Sequence, residues 1–223
     1  GNGEIAGLAA GEIGEEVAWH ENDGAQSFTD RIIKTLADGG TSVFAIDVDG
    51  DGDVDVLSAS LNDDTVRWHE NDGSQAFAAR VIKNAADGVR CVFAIDVDGD
   101  GDVDALAAVQ YDDTVAGHRN DGSESFTARV ITDSADATIW VFAIDVDGDG
   151  DTDALSAIWD DDTVAWYEND GSQSFTQTDI TNTAAGAVSV SALDGHGARA
   201  SDPLSASASG DTVAWYAKAG SAV

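Results

Sequence analysis

A 49-residue period, short apolar or alternating runs inside it, and no competing helical pattern together predict an all-β chain. The expected architecture is a β-propeller of about five four-stranded blades with incomplete first and last blades. The period is read directly from the letters. VFAIDVDGDGD starts at Val43, Val92 and Val141. Trp19, Trp68, Trp166 and Trp215 keep the same frame, with Gly117 in the vacant slot, and so do Phe28, Phe77, Phe126 and Phe175. A parallel β-helix would need much shorter rungs, and a sandwich has no need of identical units.

Each unit reads as four strands. Val43 to Val48 is expected to be an apolar strand buried on both faces. Val54 to Ser60 follows the Asp/Gly loop as the second strand. Thr65 to Glu70 alternates Val66 and Trp68 with Arg67 and His69, giving the third. Asn71-Asp72-Gly73 is a turn, and Phe77 to Ile82 is the fourth strand. The units run approximately 1–40, 41–89, 90–138, 139–187 and 188–223 within one domain, 1–223.

Gly1 to Glu4 aligns with Gly50 to Asp53, so the first unit is expected to lack its first strand. The last unit ends after Thr212 to Tyr216 and is expected to lack its fourth. Native sheets avoid bare edges. A strand from outside residues 1–223 is therefore expected to complete at least one terminal blade.

Composition narrows the function. With 43 acidic and 10 basic side chains the formal charge is −33, which opposes nucleic acid and anionic membrane surfaces as partners. No apolar run approaches the ~20 residues of a membrane span. Cys91 is the single cysteine, so no internal disulfide is possible. The sequence has no Met, which is expected of a processed or truncated piece. The acidic set is 35 Asp and only 8 Glu, a bias toward turns and oxygen-ligand loops rather than mere solubility.

The Asp set is concentrated in three loops. Asp47, Asp49, Asp51, Asp53 and Asp55 fit D-x-D-x-D-G-x-x-D, with Gly52 at position 6. Asp96, Asp98, Asp100, Asp102 and Asp104 repeat the pattern, as do Asp145, Asp147, Asp149, Asp151 and Asp153. A hard cation takes six to eight oxygens at about 2.3–2.6 Å. Carboxylates at positions 1, 3 and 5, a carbonyl at 7 and a carboxylate at 9 could supply them. Five carboxylates in nine residues repel one another unless a cation neutralises them. The loops predict about three Ca²⁺ sites, since Mg²⁺ demands stricter geometry. The outer units are degenerate: Asp194 and Asp202 remain at positions 1 and 9 of the last, with His196 and Ala198 between, and the first has Asn2 and Ala6.

VFAIDVDGDGDVD, followed by a strand and D-D-T-V-A-W-Y-E-N-D-G, resembles the FG-GAP/VCBS repeat family, which includes integrin α-subunit propeller blades and many secreted microbial proteins. The resemblance implies calcium in these hairpin loops, an extracellular setting, and adhesion or ligand binding. Partners would be a cell-surface protein or glycan, or copies of the chain itself in a filament or surface assembly completed by strand addition.

Other features read as structural. Trp19, Trp68, Trp166 and Trp215 each follow a Val by two residues and are expected in inter-blade packing. Trp140 and Trp159 lie outside the repeat pattern and are better placed for a surface contact. His20, His69 and His118 share a slot with Tyr167 and Tyr216, which excludes a common ligand or base and suggests strand-surface residues. Asp63-Asp64, Asp112-Asp113 and Asp161-Asp162 could mimic a glycosidase pair, but recur before each third strand as turn residues. No nucleophile elbow, phosphate loop, zinc signature or dinucleotide fingerprint is present, so no enzyme is expected.

Overall fold

The computed structural model describes residues 7–11, 16–22, 27–35, 37–193 and 201–217. Among these, all regular structure is β-strand, arranged as five antiparallel sheets in a β-propeller-like array. The first sheet has β1 (Gly7–Gly11), β2 (Glu16–Asn22) and β3 (Phe28–Thr35). The second has β4 (Gly40–Ile46), β5 (Asp55–Ser60), β6 (Thr65–Asn71) and β7 (Phe77–Lys83). The third has β8 (Val89–Ile95), β9 (Asp104–Val109), β10 (Thr114–Asn120) and β11 (Phe126–Thr132). The fourth has β12 (Thr138–Ile144), β13 (Asp153–Ile158), β14 (Thr163–Asn169) and β15 (Phe175–Thr181). The fifth has β16 (Ala187–Leu193), β17 (Asp202–Ser207) and β18 (Thr212–Trp215).

Each sheet is a simple meander in sequence order. The terminal sheets have three strands each among the described residues, one without a strand before β1 and one without a strand after β18. Gly1 to Ala6, Asp194, His196 and Ala198 lie outside the described residues.

The strand buried on both faces is the second of each full blade, not the first. Every residue of β5, β9 and β13 is buried. Each of these strands has a neighbour on both sides in its sheet and a blade against each face. Small side chains such as Ser58, Ala59, Ala107 and Ala157 let the sheets approach closely. The first strands β4, β8 and β12 are inner edges, so Ala45 and Trp140 remain exposed. They run from Gly40, Val89 and Thr138 to Ile46, Ile95 and Ile144, starting and ending earlier than the apolar run suggests. Their Phe side chains touch in series, Phe44 to Phe93 at 4.6 Å and Phe93 to Phe142 at 4.9 Å between ring centres. Ser42 donates to the Val92 carbonyl (3.5 Å) and Cys91 to that of Val141 (3.6 Å), tying successive inner strands. Burial pushes the Cys91 thiol up to about 11, so it serves as a small core residue.

Four apolar clusters join successive sheets. Leu57, Val66 and Trp68 of the second blade meet Val92, Ala94 and Ala107 of the third, and Trp68 lies edge-on to Phe126 at 6.4 Å. Leu155, Val164 and Trp166 repeat the contact against Val190 and Ala192. The packing expected for the Trp set holds for Trp68 and, half-buried, for Trp166; Trp19 is half-buried and lines an opening with Val56 and Phe77. Trp215 differs, at 54% exposed, with Val213 at 80%. No described sheet covers that face.

The shared His/Tyr slot is a second correction. His69, His118 and Tyr167 are buried, because both faces of these blades are covered. Ser58 Oγ bonds His69 Nε2 at 2.9 Å, and Ser156 bonds Tyr167 Oη at 3.0 Å in the same place. Burial, aided by Arg67 and Lys34, lowers the His69 pKa to about 4, and burial with Lys83 does the same for His118.

Truncating Trp68 to Ala should cost about 3–5 kcal/mol, the usual range for a buried aromatic, while Trp215→Ala should cost far less; denaturant unfolding of both variants measures this. The folded-state pKa of His69 lies below its ordinary 6.5, so the stability it contributes is complete above pH 6.5 and is lost as pH falls toward 4. His69→Tyr can keep the Ser58 partner without titrating. Its melting temperature should therefore fall less than that of the wild type between pH 7 and 4.5.

Candidate metal centre

The three Asp loops lie at one end of the array, each joining the first and second strands of a blade. Their backbone is wound by Asx-type bonds rather than by ladder pairing. The carboxylate of Asp47 accepts the N–H groups of Gly50 (2.8 Å) and Gly52 (2.9 Å). Asp96 accepts from Gly99 and Gly101, and Asp145 from Gly148 and Gly150. These bonds curl the loop through Gly52, Gly101 and Gly150, whose φ values of 95°, 97° and 103° are open to glycine alone. Asp49, Asp98 and Asp147 then accept the N–H of position 5.

Position 9 anchors the loop. The buried Asp55 carboxylate accepts the N–H of Val48 (3.1 Å) within the loop and that of Asn71 (2.7 Å) at the end of β6. Asp104 does so with Val97 and Asn120, and Asp153 with Val146 and Asn169. The anchor brings positions 1, 3 and 9 together. One oxygen from each of Asp47, Asp49 and Asp55 lies within 4.8 Å of the others, and the same holds for Asp96, Asp98, Asp104 and for Asp145, Asp147, Asp153. Opposed ligands of a cation bonded at 2.3–2.6 Å lie about 5 Å apart, so the all-oxygen donor set fits a hard divalent ion. Asp51, Asp100 and Asp149, at position 5, flank these triads and accept the N–H of position 7. The position-7 carboxylates of Asp53, Asp102 and Asp151 lie instead over Gly73, Gly122 and Gly171 of the next turn.

The electrostatics follow from crowding. Burial raises the Asp55 pKa, opposed by the Asn71 and Val48 N–H groups and the Trp68 indole. Burial does the same at Asp153 and, with the charges of Asp98 and Asp100, pushes Asp104 up to about 6. Asp49 is raised by lost solvation and then by Asp55, Asp51 and Asp47.

The paired Asp residues before each third strand are turn residues. Asp64, Asp113 and Asp162 have φ of 52–53° and cap the following connection, accepting N–H from Gly88, Ala137 and Gly186. At the opposite end of the array, Ala10, Gly40, Thr41, Arg90, Gln110, Ile139 and Trp159, from four blades, surround an axial opening of about 640 Å³. Arg90 Nε donates to Gln110 Oε1 at 2.6 Å, and Trp159, 36% exposed, lines the same opening. The irregular position of Trp159 signalled its exposure; the convergence with Arg90 required the topology.

The FG-GAP-like repeat model matches residues 8–58, 47–107, 96–156 and 145–195. The chain belongs to the FG-GAP repeat family. Comparison with curated proteins finds no significant match. Several solved structures share the fold of this FG-GAP protein. One is an Agrocybe aegerita lectin that recognises non-reducing terminal N-acetylglucosamine, at 21% identity and TM-score 0.58, over 86% of this chain and 55% of that one. A protein of unknown function from Desulfotomaculum acetoxidans aligns at 9% identity and TM-score 0.63, over 90% and 58%. A Lactobacillus plantarum protein aligns at 13% and 0.61, over 85% and 57%. The FG-GAP chain thus spans little more than half the length of these neighbours.

The vacant Trp slot in the third blade leaves a small cavity of about 20 Å³ beside Gly117, bounded by Asp104, Arg129, Ile131 and Phe175. A Cβ at Gly117 would meet nothing nearer than 3.6 Å. Gly117→Ala should therefore raise stability by about 0.5–1 kcal/mol, since glycine in a strand interior is entropically costly; chemical denaturation checks it.

Proposed function

We propose that this FG-GAP chain is an extracellular, calcium-stabilised binding or adhesion module built as a five-bladed propeller, with a glycan as its ligand and no reaction of its own. The observation that carries the metal part is the threefold recurrence of converging carboxylates at positions 1, 3 and 9. Asp47, Asp49 and Asp55, and their counterparts, would hold the ion. Bound there, it would cancel the repulsion and desolvation that now disfavour ionised Asp49, Asp55, Asp104 and Asp153. Calcium at ~100 times its Kd should add about 2.7 kcal/mol per independent site, so chelation should lower the melting temperature markedly. Asp49→Ala and Asp147→Ala should each remove about one equivalent of bound calcium in calorimetric titration, and Asp72→Ala, in the N-D-G turn, none. A melting curve indifferent to chelator would sink the metal reading.

The axial opening supports the glycan part. An exposed indole lining the same opening as a guanidinium and an amide offers a stacking face and planar hydrogen-bonding groups, the combination a sugar ring needs. A lectin among the structural neighbours is in keeping with this. A glycan array probed with wild type and Trp159→Ala tests it: binding should be seen and then lost with the indole, and an array silent with wild type would refute it.

A second reading, a protomer completed by a strand from another copy, is favoured by the uncovered face of the fifth blade. Val213 is 80% exposed there, whereas Val17, Val66, Val115 and Val164 in the same slot are fully buried. Sedimentation velocity and electron microscopy decide it, since a strictly monomeric chain at high concentration excludes assembly.

A further inference from the structure

The three Asp loops are not equivalent, and the difference lies in which charge faces position 3. In the second blade Asp49 has Glu70 of β6 and Glu124 of the next blade as neighbours, their oxygens within 4.8 Å of one another. Arg80 pairs with both glutamates, at 2.5 and 2.6 Å, and rests over Trp68 at 5.2 Å. In the third blade the sign is reversed. Arg119 occupies the slot of Glu21, Glu70 and Glu168 and turns into the loop. Its guanidinium contacts Asp98 at 2.5 Å and Asp100 at 2.8 Å. Gln173 of the fourth blade donates to the same Asp98 oxygen at 2.7 Å, and the Asp98 side chain is left only 4% exposed. Arg119 also holds the Asp100 carboxyl below its ordinary range. Arg129 takes the place of Arg80, directly across from Gly117, but has no glutamate diagonally across from it, because Arg119 stands in the Glu70 slot. Gly117, two residues before Arg119, removes the indole that fills this region in the second blade.

We propose that Arg119 is a tethered counter-cation of the third-blade loop, so that this loop binds a divalent cation more weakly than its two neighbours and stays ordered without one. The inference rests on the calcium reading above. An ion entering between Asp96, Asp98 and Asp104 must displace the guanidinium from Asp98. Arg119 is 40% exposed, so solvent screens part of that contact, and the penalty is about tenfold in affinity rather than several powers of ten.

Calorimetric calcium titration of the whole chain should then show two tighter equivalents and a third about tenfold weaker. Arg119→Glu restores the residue of the first, second and fourth blades, diagonally across from Arg129, and should bring the third equivalent level with the others. Arg119→Gln should do so in part. In excess chelator both variants should melt below wild type, because the loop has lost the guanidinium paired with Asp98 and Asp100, and calcium should close the gap. Three indistinguishable equivalents in wild type, or a third equivalent unmoved by both substitutions, would overturn the proposal. Absence of calcium uptake by wild type and variants alike would overturn the calcium reading instead. The chelator melts would then still judge Arg119, and unchanged melting would reject it as a counter-ion.

Discussion

One buried carboxylate per central blade holds the rest in place. Asp55, Asp104 and Asp153 each stand at the first residue of the most buried strand and bind backbone N–H groups from two separate segments. That double acceptance fixes the loop to the end of the third strand and so sets where positions 1 and 3 can lie. It also creates the problem the loop must solve. A carboxylate away from water, facing others across a few ångströms, is favoured only when donors or cations compensate it. The backbone supplies part of that compensation. The remainder falls to whatever positive charge each blade can bring.

The blades bring different charges because the third strand of the third blade carries Gly117 and Arg119 where the second and fourth blades have Trp and Glu. Glu70 and Arg80 form a cross-strand pair on the surface of the second blade, as Glu21 and Arg31 do on the first. With Gly117 and Arg119 the third blade breaks that pair and points its cation inward. An internal repeat therefore gives one fold with two opposite electrostatic settings.

Most of the fold was legible in the letters because the repeat fixes strand number and the alternation fixes faces. Val66 and Trp68 against His69 marked two sides of a strand. The sequence could not say that both sides are buried, since that depends on a neighbouring blade 49 residues away. The same gap explains why His69 and His118 read as surface residues and why the first strand read as the doubly buried one. In the loops, Asp spacing pointed to carboxylates at positions 1, 3, 5 and 9 and a carbonyl at 7; the structure groups 1, 3 and 9, leaves 5 beside them, and draws the position-7 carboxylates aside over turn glycines. The sign reversal at Arg119 is visible in an alignment of the units. Its target, Asp98, is not, because reaching it depends on the twist of the sheet.

The apolar clusters have a consequence for how such a chain can change over time. Each joins one sheet only to the next, always through the same pair of faces. Excising a whole unit, such as residues 41–89, would bring the Val17 and Trp19 face against Val92 and Ala94, partners of the same kind as those it left. Blade number is thus a loosely held variable, open to duplication and loss by recombination in steps of a single period, whereas any shift smaller than a period misaligns every interface downstream.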